Sequence, residues 1–147
     1  MMSSLREQSG LGSGALLAVV AVAGLGCVMG PAIAAGVRPM ASPLFPMLRA
    51  SVEGLTWASA ALLCVLGLAA GWATELAWAR IGAASVVLLP LAALAEIVAD
   101  GTSHNLIPFE LAMYAMLAVP AAIGALAGRG LRRMTVSRAA PSRGPTG

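Results

Sequence analysis

Charged side chains are missing from four long stretches of this chain, and that gap pattern limits the fold more than any motif does. Gln8 to Val37, Gly54 to Thr74, Ile81 to Ala95 and Leu111 to Gly128 contain no Asp, Glu, Lys or Arg. A helix rising ~1.5 Å per residue needs about 20 apolar residues to cross ~30 Å of hydrocarbon. The first, second and fourth stretches meet that length directly. The third does so by taking in Ala77 to Arg80 before it or Glu96 to Ala99 after it. Composition agrees: 59% of residues are hydrophobic and 10% charged, against about 25% charged in soluble domains. A soluble core of this size lacks the polar residues to cover it, and disorder needs the opposite balance.

The expected fold class is therefore all-α, an integral membrane four-helix bundle with spans near 12–35, 53–73, 77–99 and 107–128. Apolar and polar residues do not alternate in these segments, and Ala, Leu and Gly dominate, so a β-barrel is excluded. Lipid leaves no partner for an unpaired backbone amide, which again selects helices. The expected domain layout is one transmembrane domain over 1–133, including a short polar arm at 1–11, and a disordered basic tail over 134–147. One alternative leaves three helices. Residues 1–34 have the layout of a signal peptide, with Arg6 at the start and Ala32-Ile33-Ala34 as a cleavage site. Glu7 offsets Arg6, however, and the apolar stretch is long enough to span.

Arginine sets the orientation, since the chain has no lysine. Five arginines (129, 132, 133, 138 and 143) follow the last span, while no cation lies between spans three and four. The positive-inside bias then puts both termini in the cytoplasm, of a bacterial cytoplasmic membrane as expected from arginine-only, alanine-rich usage. Arg38 and Arg49 fall outside. Trp57, Trp72 and Trp78 fall at span ends, where aromatic residues meet the interface. The pI of 9.7 thus reflects basic residues beside the lipid bilayer, the first expected partner, and no folded basic face points to nucleic acid.

Between the first two spans, residues 36–52 hold Pro39, Pro43 and Pro46 among Met, Leu and Phe side chains. That density argues against a regular helix and for a segment lying in the outer interface. Pro90 and Pro120 should kink the third and fourth spans. Gly26/Gly30, Gly67/Gly71 and Gly124/Gly128 form G-x-x-x-G pairs that permit close helix approach. Packing within the chain is the first expectation for them. A homo-oligomer or a membrane protein partner is the second.

Chemistry concentrates in one stretch, Glu96 to Glu110, which holds three of the six acids, the only histidine and the only asparagine, with no cation. Glu96 and Asp100 share a helix face if the span reaches that far. Gly101 would end the helix, Thr102 or Asn105 would cap the next, and Glu110 sits in its first turn, where the helix dipole favours a carboxylate. The first expectation is structural: Arg38 and Arg49 pair with Glu53, Glu96, Asp100 or Glu110 and fasten the first outer loop over the second. The next is a site. Glu96, Asp100, His104 and Glu110 form a carboxylate-rich set with one imidazole that would suit a divalent metal, although their spacing follows no established ligand motif. Glu96 would also serve a proton or cation pathway, as ionisable groups in spans often do.

No catalytic residue is assigned. Ser103 has no elbow around it, and no glycine-rich phosphate loop is present. Cys27 and Cys64 lack the C-x-x-C spacing of a thiol redox pair and read as small packing residues. A single histidine cannot give bis-histidine haem ligation. The expected function is a small accessory or structural membrane subunit without catalysis or a required cofactor. The alternative is a small transporter or ligand-binding protein with its site at Glu96, Asp100, His104 and Glu110.

Overall fold

A computed structural model describes residues 2–40, 42, 44–99 and 107–139, all helical apart from short connections. The elements are α1 (Met2–Ala34), α2 (Pro46–Glu53), α3 (Trp57–Ala73), α4 (Trp78–Val86), α5 (Leu88–Ala99) and α6 (Ile107–Ala139). Three stretches are long and apolar enough to cross a membrane: Gly12–Ala34 of α1, Trp78–Ala99 running through α4 and α5, and Pro108–Ser137 of α6. A fourth joins them if α2 and α3, set at 99° to one another, count as one broken span. The chain is an all-helical integral membrane protein.

Local sequence explains each boundary. α1 closes where Gly36 takes φ +70; its amide donates to Ile33 O at 3.0 Å and that of Val37 to Ala32 O at 3.0 Å, the paired bonds of a glycine-terminated helix. A side chain at Gly36 would meet open space, so only backbone strain opposes one. Gly36→Ala is expected to cost about 1 kcal/mol, read as a lower unfolding temperature in detergent. An unchanged temperature would contradict this cap.

The expectation that prolines keep 36–52 free of regular helix is corrected for its second half. Pro46 occupies the first turn of α2, the one helical position where a missing amide hydrogen is harmless. Gly54 follows the last residue of α2, and Thr56 starts α3 by accepting from Ser59 N at 3.4 Å. The second span's helix therefore begins at Trp57, not at 53. Its 17 residues reach about 26 Å, just short of the usual hydrocarbon width. The third span is interrupted at Val87, three residues before Pro90, where Val87 N bonds to Ala84 O at 3.3 Å. Pro90 lies in the first turn of α5 and has no amide hydrogen to give Val86 O. Pro120 sits inside α6 without interrupting it.

Both ends are more helical than expected. α1 already includes the arm from Met2. α6 runs through Ala139, six residues beyond the boundary at 133. Residues 134–139 contain neither glycine nor proline, and the next proline is Pro141, so nothing local stops the helix earlier. Residues 140–147 lie outside the described residues.

The bundle is held by two glycine-paved contacts. α3 and α6 share the most extensive interface. A Cβ built on Gly67 would fall 2.0 Å from Ala121 O, and one on Gly71 2.3 Å from Ala125 O. From the other side, Gly124 would collide with Cys64 O and Gly128 with Leu68 O. Partners advance together along both chains, so α3 and α6 run parallel with their G-x-x-x-G pairs interlocked. On α1, Gly24 lies equally close to Ser85 O of α4. Around these contacts Val28, Leu63, Val86, Leu89, Leu117 and Ala121 form one buried cluster, and Val20, Ile81 and Ala125 form another. Residues 12–34 thus contribute side chains to both clusters. The third pair, Gly26 and Gly30, has no atom within 4 Å of a built Cβ.

Candidate functional site

At the end of the bundle formed by the α1–α2 connection, α2, the end of α5 and the start of α6, a carboxylate is buried. Glu96 is 6% exposed. It lies one turn before the end of α5, in a helix otherwise built from Leu, Ala, Ile, Val and Pro. Isolated burial of this kind is costly unless hydrogen bonds serve the charge. The α1–α2 connection supplies them: Phe45 N donates to Glu96 Oε1 at 3.1 Å and the Ser42 hydroxyl donates to the same oxygen. Ser42 Oγ also accepts from Phe45 N at 3.2 Å. Two atoms of the connection, Ser42 Oγ and Phe45 N, and one carboxylate oxygen therefore bond to one another at the N-terminus of α2. Because Phe45 precedes the first turn of α2, its amide is among those a helix cannot satisfy internally.

Beside this contact lies a cavity of about 60 Å³, room for a few waters. Its polar walls are Arg49, Glu53, Glu96, Glu110 and Tyr114, and Leu48 and Met113 close its apolar side. Arg49 Nε pairs with Glu53 Oε1 at 3.4 Å, one turn apart on α2 and largely exposed, so the pair contributes little to stability. Glu110 occupies the first turn of α6, as expected.

The structure thus brings two of the four anticipated site residues, Glu96 and Glu110, to one cavity. Asp100 and His104 lie outside the described residues, as do Gly101, Thr102 and Asn105. Among the described residues no group of three His, Cys, Asp or Glu side chains gathers to hold a metal. The first outer connection is fastened to α5 through Glu96, by the Ser42 hydroxyl and the Phe45 amide. Of the anticipated arginine pairs, Arg49 with Glu53 forms, within α2. Sequence reasoning missed Ser42, the Phe45 amide and Tyr114. Tyr114 was within reach: it stands four residues after Glu110, on the same helical face. The Phe45 amide had no signature, because a backbone donor carries none.

Comparison with protein-family models, curated proteins and solved structures gives no match to this chain.

Proposed function

We propose that the protein is a small non-catalytic subunit or accessory factor of a bacterial cytoplasmic membrane, crossing it four times with both termini in the cytoplasm. The observation that carries this reading is the use made of Glu96. The most buried carboxylate of the described residues accepts bonds from Ser42 and Phe45, so it ties a connecting segment to a span. Support for four crossings comes from α3, which runs parallel to α6 from Cys64 to Trp72 and shares its depth. Support for the orientation is the run of arginines at the end of α6, on the side of Arg80, against Arg38 and Arg49 on the other. The open Gly26/Gly30 face of α1 suits a second copy or a partner helix.

A second reading has its own observation. The cavity next to Glu96 collects Arg49, Glu110 and Tyr114, which suits a small ligand or a transported cation. Proteoliposomes separate the two. The accessory reading expects proton and cation flux no greater than in protein-free vesicles. Flux above that level, abolished by Glu110→Gln at unchanged thermal stability, would replace it with the transport reading.

A further inference from the structure

A second polar cleft lies at the opposite end of the bundle. Its volume is about 570 Å³, and its walls are Thr74 and Glu75 of the α3–α4 turn and Arg129, Arg132, Arg133 and Val136 of α6. We propose that this cleft binds the phosphate of an anionic phospholipid headgroup in the adjacent leaflet.

Charge is the first ground. Three guanidinium groups face one carboxylate, an excess of two positive charges at a concave surface. The spacing of 129, 132, 133 and 136 is one helical face, so the arginines converge on the cleft while Val136 gives it an apolar edge. Guanidinium groups are suited to phosphate because their planar donors meet two oxygens at once. Arg132 Nη2 lies 3.0 Å from Glu75 Oε1, and because that pair is exposed it holds the guanidinium only weakly against an incoming phosphate.

Depth is the second, independent ground. Trp72 and Trp78, 42% and 44% exposed, flank the turn that carries Glu75, and exposed tryptophans in such proteins settle at headgroup level. Helix α6 has 33 residues, about 50 Å, so its last turns extend beyond ~30 Å of hydrocarbon. The cleft therefore opens where lipid phosphates lie. Basic pockets between spans at this level recognise anionic headgroups. The proposal goes beyond the accessory role and does not depend on which way the chain is inserted.

Full-length protein in neutral detergent is titrated with phosphatidylglycerol, with phosphatidylcholine and with inorganic phosphate, and bound lipid is counted by native mass spectrometry. Phosphatidylglycerol is expected to bind at least ~10-fold more tightly than phosphatidylcholine. The double variant Arg132→Gln/Arg133→Gln should weaken it by about 30-fold. The charge-matched double variant Arg38→Gln/Arg80→Gln, at two arginines that do not line the cleft, should change it less than ~2-fold. Glu75→Gln removes the competing carboxylate and should tighten binding, an outcome that unfolding cannot imitate. Equal losses in both double variants would reduce the effect to net charge and overturn the site. Inorganic phosphate displacing the lipid at equal concentration would also overturn it, as a free-anion site.

Discussion

Replacing Gly124 by leucine is expected to separate α3 from α6 and to cost about 3 kcal/mol, the upper end of overpacking penalties. The reason is what the new side chain would meet. A Cβ at Gly124 falls 2.0 Å from Cys64 O and 2.9 Å from Leu68 N. Both are backbone atoms of a helix and cannot rotate away as a flexible side chain would. Gly67→Leu should behave alike, because its Cβ would meet Ala121 O from the other helix. Gly26→Leu and Gly30→Leu are the controls. They share the motif but meet nothing within 4 Å, and within the isolated chain each should change stability by less than about 0.5 kcal/mol. Thermal unfolding in detergent ranks the four variants. Equal losses at Gly26 and Gly124 would mean that the glycines act through helix flexibility, and the interlocked interface would be wrong. A loss at Gly26 confined to oligomeric fractions would instead mark that face as a contact between copies.

Glu96→Leu is expected to release the α1–α2 connection without unfolding the bundle. Global stability need not fall much, since an apolar residue of similar size often replaces a buried charge without loss. The local effect is large. The Ser42 hydroxyl loses its acceptor while the Phe45 amide keeps only its bond to Ser42 Oγ, and a donor stripped of its partner costs about 2 kcal/mol, or ~30-fold in the opening equilibrium. Hydrogen exchange across Ser42 to Glu53 reads this directly. Glu96→Gln keeps an amide oxygen in the same place and should recover most of the protection. Protection unchanged in Glu96→Leu would show that the carboxylate does not hold the connection, and the accessory reading would lose its main support.

The two variants act on different links of the chain from sequence to function. Gly124 belongs to packing, where missing atoms let two backbones touch. Glu96 belongs to the polar end, where one charged atom is shared by loop donors. Glu96, the most buried carboxylate among the described residues, is engaged by donors of the connection, and the proposed accessory role rests on that use. The small cavity with Arg49, Glu110 and Tyr114 is the place where that reading would fail.

Much of this architecture could be read from the order of residues alone. Charge-free stretches specify membrane helices because bilayer thickness and helix rise are fixed lengths, and no tertiary contact can change either. Pro90 marked a weak point in the third span because its ring supplies no amide hydrogen to the helix ladder, although Pro120 sits within an unbroken α6. Glu110 could be placed in a first turn for an equally local reason. Tertiary structure decided the rest. Which glycine pairs interlock depends on which helices become neighbours: of three like motifs, two meet each other in one buried contact and the third is an open face. Pro46 starts a helix although its composition suggests a loop, because position within the first turn, not proline content, controls the outcome. Glu96 found its donors in a backbone amide and a serine about 50 residues away in sequence, and the arginines of α6 became a cleft only when the α3–α4 turn brought Glu75 beside them. Spans follow from one-dimensional lengths, while sites require the approach of distant segments, which composition and spacing do not encode.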